Sequence, residues 1–440
     1  MEKNTTEKTP NTTDKKEIHG LVLGGGGARG CFEIGAWQAF HQLGIHFDCV
    51  AGTSIGALVG AIYVQHTLDR LVEFVYEMSP DMIAKNMPEM PDSFEDFQKN
   101  RETYRTFLRN YLKDGGADIS PLKAAIARMF NWKLFSESDV NFACMTYNVS
   151  KLEPAVFFKK NMTEEDAQDI ILASASCYPA FPMLKMNGDY YIDGGYEDNL
   201  PVSLAQEMGA THILAIDVHG PGRTKPLPLD GTVRYMEPVL PLDNFLDFHR
   251  EACIRSLRIG YLETLKQFDA AAGYLFTFKA EDWGRIYMID RYLDMNLSHF
   301  GISATKEMGR SIAGLLLGAQ PGIINSKYTA DYASGLLVED LALLAGLDPV
   351  KLYTYDTFVN ELAAALANLP RPALPGSVHD SLSMLRSSSR KEILNFMHAV
   401  LSHYNGKFPL VFDPLKKIFD TEYTLACVWY CLTPYLPEAK

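Results

Sequence analysis

Apolar residues along this chain follow two rhythms. Short unbroken runs of strand length alternate, over roughly residues 19–320, with longer stretches of helical period, and glycine or proline marks most of the changes. The first run, His19–Leu23, ends in Gly24-Gly25-Gly26-Gly27-Ala28-Arg29-Gly30. Apolar side chains then recur at Phe32, Ile34, Trp37, Phe40 and Leu43, and Gly44 occupies the position of a helix C-cap. A second buried run over 47–51 leads into Gly52-Thr53-Ser54-Ile55-Gly56 and a helical stretch over 57–66. Strand, helix and strand in such a short span predict a parallel, right-handed βαβ unit.

The rhythm breaks over 79–118, where Met82, Met87 and Met90 accompany Pro80, Pro88 and Pro91 among many charges. This segment reads as a helical excursion that could cap a cleft, although flexible methionine more commonly fills an irregular core. Asp118-Ile119-Ser120-Pro121-Leu122 has the form of a helix start. Strand patterns return over 142–147 and 155–158, followed by a helix over 164–174. Around Asn187-Gly188 the alternation predicts a hairpin, since Asn-Gly suits the positive φ angles of a two-residue turn. Its second strand delivers Asp193-Gly194-Gly195. A helix over 201–208, a strand over 213–218, a strand over 274–278 and a helix over 303–317 complete an expected α/β domain with a mostly parallel sheet, residues 19–320. Residues 321–440 read as a helical C-terminal extension interrupted by a proline-rich break over 369–375.

Composition narrows the function classes without choosing one. With 47% hydrophobic and 22% charged residues in 440, the chain is of ordinary globular make-up and long enough for a large core plus an appendage. Its 41 basic against 54 acidic residues argue against nucleic acid as a partner. Residues 1–18 are polar and lack an apolar stretch, as expected of a disordered tail rather than a signal peptide. No run of apolar residues is long enough for a membrane span, and the 7 cysteines lack zinc spacing, so a reducing, cytoplasmic setting is expected, with no metal. The net charge of −13 lies mostly in 20–321, whereas Arg386, Arg390, Lys391, Lys407, Lys416 and Lys417 make a locally basic stretch. That stretch could meet a lipid surface peripherally, or simply be a solvated helix face.

Candidate chemistry centres on Gly52-Thr53-Ser54-Ile55-Gly56. A serine in a tight strand-to-helix turn projects its hydroxyl above the sheet, and the flanking glycines relieve crowding. The earlier glycine loop is no Walker loop, because Cys31 and Phe32 follow Gly30 where lysine and serine or threonine would be needed. Gly25, Gly27 and Gly30 match a dinucleotide-binding spacing, yet Asp48 begins the next strand instead of ending it. The loop's N–H groups before a helix would equally suit an oxyanion hole, with Arg29 enlarging the positive field or pairing with an acid. Asp193 is the first candidate base, although Asp-Gly-Gly alone is turn chemistry. His212, His219 and His249 are the histidine candidates downstream; of these, His219 follows a strand, so a Ser54, Asp193, His219 triad is the alternative.

Taken together and in this order, Gly25-Gly26-Gly27-Ala28-Arg29-Gly30, Gly52-Thr53-Ser54-Ile55-Gly56 and Asp193-Gly194-Gly195 resemble the patatin-like phospholipase family, particularly its bacterial members. Asp118-Ile119-Ser120-Pro121-Leu122 and the stretch Ala173-Ser174-Ala175-Ser176, with Pro179, Phe181 and Pro182, extend the resemblance. It implies a three-layer α/β/α fold over about residues 18–320 and a serine acyl hydrolase acting on lipid or acyl-ester substrates. By position, Ser54 would be the nucleophile and Asp193 its base, without a catalytic histidine. Gly25, Gly26 and Gly27 with Arg29 would form the oxyanion loop; Gly30, Gly52, Gly56, Gly194 and Gly195 complete the motifs. No cofactor is implied.

Overall fold

In the computed structural model, residues 17–85, 116–303, 332–369 and 384–437 are described. Strand β1 (His19–Leu23) has four fully buried residues, runs into the glycine loop and continues as α1 (Cys31–Leu43). Then follow β2 (Cys49–Thr53), α2 (Ile55–Val64), α3 (Leu68–Glu77), α4 (Ser120–Met129), α5 (Trp132–Glu137), β3 (Asn141–Asn148), β4 (Glu153–Phe158) and α6 (Ala167–Ser174). The hairpin β5 (Leu184–Met186) and β6 (Asp189–Asp193) turns at Asn187 and Gly188, both at positive φ, as its sequence predicts. Next come α7 (Val202–Glu207), β7 (His212–Ile216) and β8 (Val233–Met236).

These eight strands form one sheet. Strands β3, β2, β1, β7 and β8 are parallel neighbours, and β4, β6 and β5 add antiparallel pairings. On one face α7 packs Leu204 and Ala205 against Val22, Ala51, Ala143 and Ala215. On the other, Gly60 of α2 lies so close to Val50 and Phe142 that a Cβ there would be 3.0 Å and 3.2 Å from them. Helices on both faces of a mostly parallel sheet make a three-layer α/β/α architecture, in the α/β class that the strand–helix alternation predicts and with the layering that the resemblance implies.

Register on β3 has a consequence for the chemistry. Residues 143–148 of β3 pair with β4 along one edge, so β2 and β6 must both use the other. They lie end to end there, with Thr53 opposite Met145 and Asp193 opposite Thr146. Ser54, the residue after β2, therefore meets the last residue of β6.

The described residues fall into two compact units, one drawn from 1–33, 44–237 and 244–250, the other from 34–43, 238–243 and 251–440. The second contains α8 (Arg250–Gln267), α9 (Trp283–Leu297), α10 (Ala333–Ala345), α11 (Tyr355–Ala367), α12 (Arg390–His403), α13 (Asp413–Ile418) and α14 (Asp420–Leu432). It also has a small sheet of β9 (Ala271–Ala272), β10 (Thr277–Lys279) and β11 (Leu352–Tyr353). The strand expected at 274–278 is thus β10 and belongs to this sheet, not to the main one; short apolar runs carry no mark of which sheet they join. Phe276, Phe278, Tyr353 and Phe358 form its aromatic core. The tail over 1–18 up to residue 16, most of the 79–118 excursion, the helix over 303–317 beyond its first residue, the boundary near 320 and the proline-rich break beyond residue 369 lie outside the described residues.

Candidate active site

Ser54 sits between β2 and α2 at φ 58° and ψ −126°, a conformation rare for a residue with a side chain. The glycines two residues to either side are sterically required. A Cβ on Gly52 would lie 2.4 Å from Gly56 O, and one on Gly56 would lie 2.3 Å from Leu23 O. Ser54 does not use its hydroxyl to cap α2. That hydroxyl instead faces the carboxylate of Asp193, near enough to favour its ionised form.

Asp193 ends β6 and is buried; it accepts the Gly195 N–H at 2.8 Å. Burial pushes its carboxyl up to about 6, against the lowering effect of the hydrogen bonds from Ser54 and Gly195. Gly194 packs where a Cβ would be 2.2 Å from Met145 O, so the turn after Asp193 closes directly on β3.

The glycine loop divides its backbone between anchors and open donors. Gly24 N–H donates to Ile216 O and Gly25 N–H to Asn199 O, each at 3.0 Å, while Asn199 Nδ2 returns a 3.0 Å bond to Gly25 O. The Gly25 N–H is therefore engaged within the fold. Among the described residues, the N–H groups of Gly26 and Gly27 have no hydrogen-bond partner, and they stand at the start of the helical turn Gly27–Gly30. Gly30 abuts Ile55, the neighbour of Ser54, at a distance that leaves no room for a Cβ. Arg29 donates through Nη1 to His219 O at 2.7 Å, bracing the segment after β7.

The remaining candidates separate from this centre. The ring of His219 pairs through Nε2 with Glu237 at 3.0 Å, which raises its pKa. His212 meets Thr211 at 3.1 Å and His249 meets Asp247 at 2.7 Å. Asp48 accepts the His19 N–H at 2.8 Å, at the opposite edge of the sheet from the glycine loop, so it could not reach a ribose held there. Sequence reasoning missed Asn199 as the loop's anchor, and also Gly220, which packs against Gly25 O so closely that a Cβ would be 2.0 Å away. Their signal is only their proximity to Asp193-Gly194-Gly195 and to β7, which does not reveal a contact with residue 25.

This geometry is matched by similarity. Residues 21–205 match the patatin-like phospholipase family. They are a patatin-like phospholipase domain. The chain is 31% identical over 214 residues to lysophospholipase NTE1 of Mycosarcoma maydis, and 35% identical over 202 residues to lysophospholipase NTE1 of Pyricularia oryzae. Those matches cover 47% and 45% of this chain but only 10% and 12% of the relatives. The chain thus spans a small part of their length. The crystal structure of VipD from Legionella pneumophila aligns over 94% of this chain and 90% of its own at 12% identity, and its TM-score of 0.34 is too low to weigh in the assignment. The patatin-like domain as matched ends within α7, so its limits include the glycine loop, Ser54, Asp193 and Asn199.

Proposed function

We propose that this protein is a serine acyl hydrolase that cleaves carboxylic ester bonds of lipids, with Ser54 as nucleophile and Asp193 as base. The meeting of the Ser54 hydroxyl with the buried Asp193 carboxylate, where β2 and β6 lie end to end along β3, carries this reading, because nucleophile and base must be neighbours. Asp193 accepts the hydroxyl proton as Ser54 Oγ bonds to the ester carbonyl carbon, whose π electrons move to oxygen. The N–H groups of Gly26 and Gly27 receive that oxyanion, and the adjacent helix start adds its dipole. On collapse the bond to the leaving alcohol breaks and Asp193 passes the proton to the alcohol oxygen. Water, giving a proton to Asp193, then cleaves the acyl-enzyme, and the proton returns to Ser54. Gly25, Gly30 and Arg29 hold the loop rather than the oxyanion. A carboxyl raised to about 6 is a better base near neutral pH than an ordinary aspartate. The reading calls for neither metal nor organic cofactor.

The substrate is a lipid or acyl ester, met by a cytoplasmic protein through peripheral contact with a membrane. No helix among the described residues is long and apolar enough to cross one. Support for surface contact comes from Leu410 and Ile418, 86% and 56% exposed, beside the exposed Lys407 and Lys417. Hydrolysis of a panel of lysophospholipids, diacyl phospholipids and neutral glycerides, with Ser54→Ala as control, tests the activity; equal turnover by that variant refutes it. Cosedimentation with anionic vesicles tests the contact, and unchanged binding by a Leu410→Asp, Ile418→Asp double variant refutes it.

A further inference from the structure

The end of α6 touches both proposed reacting residues through their main chains. Ser54 N–H donates to Ser174 Oγ at 3.0 Å, and Ser174 Oγ donates to Met145 O at 2.7 Å. Two residues on, Ser176 O accepts the Asp193 N–H at 2.9 Å. Met145 stands opposite Thr53, and its neighbour Thr146 stands opposite Asp193. One fully buried hydroxyl thus ties the elbow to the strand along which Ser54 and Asp193 meet.

A hydroxyl has a single proton and two acceptor lone pairs. Giving the proton to Met145 O fixes its rotation, which leaves lone-pair density for Ser54 N–H. Without Ser174 that N–H would be an unpaired donor at the start of α2. Ser54 at φ 58° also needs its surroundings to hold it there. We infer that Ser174 is a positioning residue for acyl transfer: through the Ser54 N–H it holds the elbow in the conformation that aims Ser54 Oγ at Asp193. The inference rests on Ser54 being the nucleophile, and it gives a role to a serine of the Ala173-Ser174-Ala175-Ser176 stretch that the chemistry itself leaves unused.

The test compares Ser174→Ala, Ser174→Thr and Ser174→Val with the wild type and with Ile170→Val, a buried change one turn earlier on the same helix that lowers stability and leaves the Ser174 hydroxyl in place. Threonine and valine have nearly one shape and differ in the hydroxyl. Three readouts are taken: the rate of fluorophosphonate labelling at Ser54 per folded molecule, kcat and KM on 4-nitrophenyl butyrate, and the melting temperature. Ser174→Ala and Ser174→Val should lower labelling and kcat by about 10- to 100-fold, as a misaimed nucleophile does, with KM unchanged. Ser174→Thr should retain most of both, and Ile170→Val should melt earlier at full kcat. Wild-type labelling by folded Ser174→Ala, a Thr variant as slow as the Val variant, or failure of Ser174→Ala to fold where Ile170→Val folds overturns the inference. If the wild type itself is not labelled at Ser54, the nucleophile assignment has failed instead.

Discussion

In the proposed mechanism Asp193 links catalysis and stability with opposite signs. Burial raises its carboxyl from 3.8 to about 6, a shift of about two units, or about 3 kcal/mol at roughly 1.4 kcal/mol per unit. As the proposed base it must be ionised, so kcat/KM should be half-maximal near pH 6 and fall about tenfold for each further unit of acid. For stability the folded value lies above the unfolded one. The favourable contribution is therefore complete below about pH 3.8 and is lost as pH rises through about 6. At pH 8 the buried carboxylate costs up to about 3 kcal/mol, and Asp193→Asn removes that charge while keeping an acceptor for the Ser54 and Gly195 donors. The variant should be inactive yet melt higher than the wild type at pH 8, by up to about 10 °C for a unit of this size, with the gap closing at pH 4. Rates on 4-nitrophenyl butyrate from pH 4 to 9, stopped in alkali for reading, and thermal melts at pH 4, 6 and 8 provide both curves. An acid limb below pH 5, or an Asn variant that is less stable than the wild type at pH 8, would refute the account of a desolvated base.

Three further outcomes are expected. His219→Ala should keep wild-type kcat, since its ring faces Glu237; a fall of several orders of magnitude, as when a triad member is removed, would restore the histidine mechanism. Asn199→Ala deletes the bond to Gly25 O in a buried site and should cost about 1–3 kcal/mol in chemical denaturation together with a lower kcat; an unchanged kcat would show that the glycine loop holds itself. In the second unit, the wholly buried Glu339 accepts N–H bonds from Tyr274 and Phe276 as well as Leu275, with Lys266 near enough to interact with it. Glu339→Ala strands those donors and that charge and should destabilise this unit by about 3–5 kcal/mol, read by calorimetry; a loss under about 1 kcal/mol would refute the cluster's importance.

What the residues themselves predict, apart from the pairing of Ser54 with Asp193 that the family resemblance implies, is local. The glycines at 52 and 56, the hairpin turn at Asn187-Gly188 and the strand–helix alternation are short-range stereochemistry, and the structure places them as the sequence suggests. The apolar run over 274–278 carries no such local mark of its partner, and β10 pairs with β9 and β11 in the small sheet.

The site needed the tertiary structure because its contacts are distant in sequence. Ser54 and Asp193 are separated by more than a hundred residues and meet only because β2 and β6 share an edge of β3. Which glycine N–H groups stay open was likewise set from afar, by Asn199 and Ile216 occupying those of Gly25 and Gly24. The sequence by itself determined which residues could do the chemistry, since turn geometry depends on immediate neighbours. Only the fold decided how they are brought together, since strand register and burial depend on chain segments that no local pattern connects.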